Sequence, residues 1–231
     1  LWPRWRGGLV RTRRPGLQVV RGLVLGLSSV FFFAALARMP LAEATAIVAV
    51  SPILVTALAV RWLGERAPPG TWWAMGAGLL GVLLIVRPGS AIFSPAALLP
   101  MLTALCGAGY ALATRRLAGV DNGIATLFIG GLVAAVLMTM IVPLFWTWPR
   151  NPIDALLFVG LGAIGAGGHL FLIRAYELAS ASVLAPFTYA HTVAAIPLGY
   201  FVFDTFPDRP ALLGMLLIVA TGVVMAWRGT V

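Results

Sequence analysis

LAEATAIVAVSPILVTALAVRWL, from Leu41 to Leu63, holds two charged residues in 23 positions, Glu43 near one end and Arg61 near the other. As a helix rising about 1.5 Å per residue it would reach roughly 35 Å, enough to cross a hydrocarbon layer of about 30 Å. A soluble core helix has a polar stripe to show to water, and this stretch has none. Its solvent is therefore expected to be lipid.

The rest of the chain repeats the pattern. Hydrophobic residues make up 61% of the 231, charged residues 10%, and the mean hydropathy is +0.99, more apolar surface than one soluble core can hide. Eight apolar stretches follow one another: Gln18 to Leu36, Leu41 to Leu63, Thr71 to Val86, Ala96 to Thr114, Gly123 to Phe145, Ile153 to Ile173, Ser180 to Phe203 and Ala211 to Trp227. They are continuous runs, without the ten-residue alternation of a membrane β-barrel. The fold class is all-α, a polytopic membrane protein.

The net charge of +9 comes from 16 Arg, with no Lys. With both ends in the cytoplasm, twelve Arg fall on the inner side, Arg21, Arg61, Arg66, Arg115 and Arg174 among them, and four (Arg38, Arg87, Arg150 and Arg209) on the outer side. That bias arises only for an even number of crossings. The charge is thus topological, and a soluble nucleic-acid binder is excluded. All eight Trp lie at or beyond segment ends, where an amphipathic ring prefers the headgroup level. A lone Cys106 rules out an internal disulfide and a multi-Cys metal site.

An internal repeat organises the crossings. GVLLIVR at Gly81 to Arg87 returns as GVVMAWR at Gly222 to Arg228, and each closes a series of a helix with an internal Pro, a turn and a Gly-containing last helix. This divides the chain into a first repeat at 1–89, with three helices, and a second at 95–231, with five. Two further helices are then expected before Leu1, an N-terminal truncation of a ten-helix protein. Five crossings per repeat place the halves in opposite senses across the membrane, the symmetry of many alternating-access carriers.

These segments also carry a family likeness. PLAEATAIVAVSPILVTALAVRWLGER (Pro40 to Arg66), GLLGVLLIVRPG (Gly78 to Gly89) and GHLFLIRAYELASASVLAPFTYAHTVAAIPLGYFVFDTFPD (Gly168 to Asp208) resemble the EamA-type repeat of the drug/metabolite transporter superfamily. The branch they look closest to contains the riboflavin and S-adenosylmethionine uptake carriers. The resemblance implies two inverted five-helix repeats around a substrate cavity, eight of the ten helices being present here, in a multi-pass protein of the bacterial inner membrane. The expected partners are a small-molecule substrate and the bilayer; a homodimer is compatible with both.

The candidate site follows from the polar residues of the crossings. On a 100° helical step, Ser180, Thr188 and His191 share one face of the Ser180 to Phe203 segment, and Ser182, Pro186, Tyr189 and Tyr200 another. Pro186 and Pro197 free backbone carbonyls, a feature of helices that border substrate sites. In the first repeat Thr45, Pro52 and Thr56 form one stripe and Glu43 with Ser51 a second, Pro52 being the counterpart of Pro186. His169 and Tyr176 share a face of a helix with five glycines between Gly160 and Gly168, which should permit close helix packing. Gly22 and Gly26 read as a GxxxG packing pair. The acids avoid the membrane centre: Glu65, Asp121 and Glu177 fall in inner connections and read as solvated or cap-stabilised charges, Glu43 and Glu177 being the leading exceptions because they lie nearest to polar helical neighbours.

A pocket of hydroxyl, imidazole and aromatic groups with little fixed charge suits a neutral or zwitterionic compound with a flat ring, flavin-like or nucleoside-like. Neither GxSxG nor HExxH occurs, and without Lys there is no phosphate-binding loop. The expectation is a secondary transporter, not an enzyme, with no cofactor and no metal. The alternatives are an amino-acid or drug exporter and a non-transporting, truncated or structural membrane protein.

Overall fold

Proline and glycine place the helix boundaries. In the computed structural model, which describes residues 11–39, 41–87, 94–149, 151–190 and 209–228, α1 (Pro15–Leu36) opens on a proline, whose missing N–H falls where no intrahelical acceptor exists. Next come α2 (Leu41–Val48) and α3 (Ser51–Leu58), the latter widening into a π turn over Ala59–Leu63. Gly64 ends that turn at φ 67°, and Gly70 starts α4 (Thr71–Val86) from φ 89°, a left-handed backbone that favours glycine. A 3-10 turn at Pro95–Ala97 leads into α5 (Leu98–Leu117).

Asn122 caps α6 (Gly123–Ile141), accepting from the Ile124 N–H at 2.8 Å, and Asn151 caps α7 (Pro152–Leu178), accepting from Asp154 at 2.8 Å. The short α8 (Ala181–Leu184) tightens to a 3-10 segment at Ala185–Tyr189, and α9 (Arg209–Arg228) completes the series. No strand occurs among the described residues.

Among the described residues, five helical stretches are long and apolar enough to cross a membrane: Pro15–Leu36, Ala44–Leu63, Pro95–Leu117, Gly123–Leu144 and Pro152–Leu178; Thr71–Ile85 and Arg209–Val224 are apolar but shorter. They coincide with seven of the eight stretches read from the sequence. The remaining one is described only as far as residue 190. On α7, Leu156, Phe158, Val159, Leu161, Ile164 and Phe171 are all exposed. Water would not tolerate such a surface, whereas lipid solvates it.

The described residues fall into two compact units, one within Leu1–Gly26 and Ala113–Ala179, the other within Leu27–Leu112 and Ser180–Val231. In the first, a Cβ on Gly22 would lie 2.5 Å from Val133 Cβ, and one on Gly26 2.7 Å from Leu137 Cδ2, so the GxxxG pair seats α1 on α6. The α7 glycines do not repeat this. Among the described residues nothing lies within 4 Å of a Cβ built on Gly160, Gly162, Gly165, Gly167 or Gly168. The close packing expected there is not found among the described residues, and that stretch of α7 is largely exposed.

In the second unit, α4 and α9 meet backbone to backbone. A Cβ on Gly81 would stand 2.8 Å from Gly214 O, and one on Gly214 2.5 Å from Gly81 O. Small residues are also buried elsewhere in this unit: Ala35, Ala44, Ala59, Ala104, Ala181 and Ala185 are fully buried. Helices in lipid associate through such close approach rather than by hiding large apolar side chains.

Candidate functional site

Two interrupted helices meet in the second unit. Pro52 has no N–H to donate to Val48, and the Ile53 N–H donates to Val50 O at 3.0 Å. The Ala49 carbonyl, released from the helical ladder, accepts the Tyr189 hydroxyl at 3.0 Å. Tyr189 comes from the second interruption, the 3-10 segment that contains Pro186. Its ring lies against Gly78, where a Cβ would collide with it, and packs with Val82 and Ile218, flanked by Ala49, Leu79 and Ile85. A buried backbone acceptor is costly unless paired, and Tyr189 supplies the donor from the partner helix.

One end of the same pair is tied by a carboxylate. Glu65 Oε2, in the connection from α3 to α4, accepts from the Ser182 N–H at 3.2 Å and from Ser182 Oγ at 3.4 Å. Ser182 is fully buried, and Ser180 Oγ lies 3.2 Å from its hydroxyl. Thr56 is likewise fully buried and donates to Met75 Sδ at 3.1 Å. Ser51 Oγ reaches Ala104 O at 3.4 Å. Thr45 and Thr188 turn back on their own helices, donating to Leu41 O (2.9 Å) and Ala185 O (2.7 Å).

The second unit thus brings together Ser182, Pro186 and Tyr189 of the last polar segment with the break before Ser51 and Pro52. His169 and Tyr176 belong to the first unit; Tyr176 is buried and its carbonyl accepts from Arg115 at 2.7 Å. His191 and Tyr200, and the side chain of Glu43, lie outside the described residues. The segment from Ser180 is not one continuous α-helix, because Ala185–Tyr189 is 3-10, which turns about 20° further per residue. Thr188 is exposed while Ser182, Pro186 and Tyr189 are buried, on separate faces as in the sequence reading.

The first unit holds a polar core that the sequence reading missed. Arg21, counted there as an inner-side charge, is fully buried within α1: its Nε donates to Thr114 Oγ1 at 2.8 Å and its Nη1 to Thr126 O at 2.9 Å. Gly130 leaves the room it occupies, since a Cβ there would collide with Nη1. One turn earlier, Gln18 Nε2 donates to Asp121 Oδ2 and to Thr126 Oγ1, both at 3.0 Å. Asp121 also accepts from the Thr12 hydroxyl and, at 2.8 Å, from the Arg13 N–H. Partial burial would raise its pKa; the three donors and the Arg13 charge outweigh that and hold it below the usual aspartate range.

Neither Asp121 nor Glu65 is merely a solvated charge, and Glu177 lies in the last turn of α7, paired with Arg174 at 2.7 Å. The available signal was Gln18 and Arg21, one turn apart inside an apolar helix, beside the GxxxG pair. Two surface grooves, of about 600 Å³ beside Met138 and Trp146 and about 390 Å³ beside Trp73 and Val224, are lined by none of the predicted site residues.

Apolar helices with outward-facing large side chains and a polar interior of buried hydroxyls define an integral, multi-pass membrane protein. The chain belongs to the EamA-like transporter family, whose sequence pattern it matches over residues 4–87 and 94–227. It is 28% identical over 212 residues to the S-adenosylmethionine uptake transporter of Rickettsia conorii, covering 92% of this chain and 72% of the relative. It is 30% identical to the pseudopaline exporter of Pseudomonas aeruginosa strain PAO1 (90% and 74%) and 29% identical to the riboflavin transporter of Rhizobium johnstonii (93% and 71%). A solved crystal structure shares the fold, with a TM-score of 0.79 at 23% identity over 95% of this chain and 78% of its own. The likeness expected from the three quoted segments holds, and the protein is a transporter of small molecules.

Proposed function

We propose that the chain carries a neutral or zwitterionic, ring-containing metabolite across the bacterial inner membrane, with both of its ends in the cytoplasm. The observation that supports this best is the meeting of two interrupted helices at Ala49 and Tyr189. Carriers built from inverted repeats bind substrate where discontinuous helices expose backbone acceptors. The division into repeats at 1–89 and 95–231 supplies the symmetry that such a carrier needs.

The substrate site is proposed along this junction: Ser182, Pro186, Thr188 and Tyr189, with Thr45, Ser51 and Thr56 from the other interrupted helix and His191 and Tyr200 further along the chain. His169 and Tyr176 remain candidates in the other unit. Such a site offers hydroxyls, a backbone carbonyl and an aromatic face, and little fixed charge. No step of bond making is proposed, and no dimer is required for the cycle.

Two relatives are named for transport of S-adenosylmethionine and riboflavin, both ring-bearing; the first is named for uptake and favours import, while the pseudopaline exporter keeps export as the second reading. The test is thermal stabilisation of the purified chain in detergent. A ligand at a hundred times its Kd adds about 2.7 kcal/mol. S-adenosylmethionine or riboflavin should raise the melting temperature saturably, and Tyr189→Ala should abolish the effect. A flat response to both compounds, and to nucleosides, would remove the proposed substrate class.

A further inference from the structure

We infer that Glu65 and Tyr189 are the two ends of a clasp that joins α3 to the α8 segment and must open once in each transport cycle. The inference rests on the transport reading above and assigns two residues a gating task within it.

The clasp has a polar bond at each end and small residues between. At the end that carries Arg61 and Arg66, Glu65 Oε2 receives the Ser182 N–H and hydroxyl, at 3.2 and 3.4 Å. Deeper, the Tyr189 hydroxyl reaches the Ala49 carbonyl at 3.0 Å. Between these points Ala181, Ala185 and Pro186 are buried, with Val55, Thr56 and Ala59 buried on the facing helix. Neither strand of the clasp is a regular helix: α3 begins after a break and ends in a π turn, and the other side is 3-10. Such irregular segments are common hinge elements.

The chemistry suits a contact that is made and broken. Apolar side chains of small residues gain little from burial in a lipid-embedded protein, so the interface leans on its few hydrogen bonds. Water can replace the Ser182 donors at Glu65 when the inner end opens. Opening also releases Tyr189 and the Ala49 carbonyl, the two groups proposed to meet the substrate. Glu65 is then a positioning residue that holds the site closed towards the cytoplasm.

The experiment reads access, not transport. Cys106→Ser provides a cysteine-free parent, Ala185→Cys the reporter inside the clasp, and a membrane-impermeant maleimide the probe, applied to inside-out and to right-side-out vesicles. Losing one net hydrogen bond shifts such an equilibrium about five-fold. Labelling from the cytoplasmic face should therefore rise about five-fold in Glu65→Ala and in Tyr189→Phe and further in the double variant, with Glu65→Gln, which keeps an acceptor, near the parent. Labelling from the outer face should not change.

No rise in the double variant would overturn the clasp, as would equal rises from both faces, which signal general loosening. Glu65→Gln guards against misfolding as the cause, because it retains size and acceptor. Since no substrate is involved, a positive result together with the absence of any ligand response would sink the proposed substrate and leave the clasp standing.

Discussion

Gly214→Ala isolates the contact that sets the spacing of α4 and α9. The added methyl would lie 2.5 Å from Gly81 O, 2.8 Å from Ile85 Cγ1 and 3.2 Å from Leu84 Cβ. The nearest atom is backbone and cannot rotate away, so the helices must part by roughly 0.9 Å to restore ordinary contact. Overpacking of a tight site costs about 1–3 kcal/mol, and a backbone collision belongs at the upper end. Alanine returns about 0.8–1 kcal/mol of helix propensity over glycine.

The net loss is then about 2 kcal/mol, equivalent to a melting temperature lower by roughly 4–8 °C for a chain of this size. Gly222→Ala on the same helix is the control, since no described atom lies within 4 Å of its Cβ position; it should melt at or slightly above the parent. Intrinsic tryptophan fluorescence during a thermal ramp in detergent reads both variants. Equal melting of Gly214→Ala and parent, or an equal fall in Gly222→Ala, would refute the backbone contact.

Three further outcomes are expected from the same assay. Tyr189→Phe leaves the half-buried Ala49 carbonyl without its donor and should cost about 1 kcal/mol. Arg21→Lys should cost about 1–3 kcal/mol, because a single ammonium does not reproduce the guanidinium fork that serves Thr114 on α5 and Thr126 on α6; a variant as stable as the parent would show that fork to be dispensable. Asp121→Asn should lower stability at neutral pH. The Asp121 pKa is depressed in the folded state, so its contribution is complete above the ordinary aspartate value and fades as pH falls through the lower folded one. The gap between variant and parent should therefore close only below about pH 4, and a gap that closes near pH 6 would contradict this.

Much of the fold was legible because lipid imposes a length and a composition that a sequence cannot disguise: the Leu41 to Leu63 run and its counterparts read directly as crossings. Pro52 and Pro186 likewise announced where the helical ladder fails. The π turn at Ala59–Leu63 and the 3-10 segment at Ala185–Tyr189 were not legible, since both are set by the contact of one segment with the other rather than by local propensity. The same holds for partners. A glycine reads identically whether it receives a helix, as Gly22 does, or faces outward, as Gly165 does. Arg21 passed for a topological charge because only the fold brings Thr114 and Thr126 to it, and Glu65 and Asp121 looked solvated because their donors are remote in the chain: Ser182 lies 117 positions from Glu65, and Thr12, Arg13 and Gln18 lie 109, 108 and 103 positions from Asp121.

Counterflow in proteoliposomes tests the central claim most directly. Vesicles loaded with unlabelled S-adenosylmethionine or riboflavin and diluted into a trace of the labelled compound should show a transient, saturable accumulation of label that Tyr189→Ala and His191→Ala reduce. Label entering no faster than into protein-free vesicles, for these compounds and for nucleosides alike, would contradict the assignment of a ring-bearing metabolite to this chain.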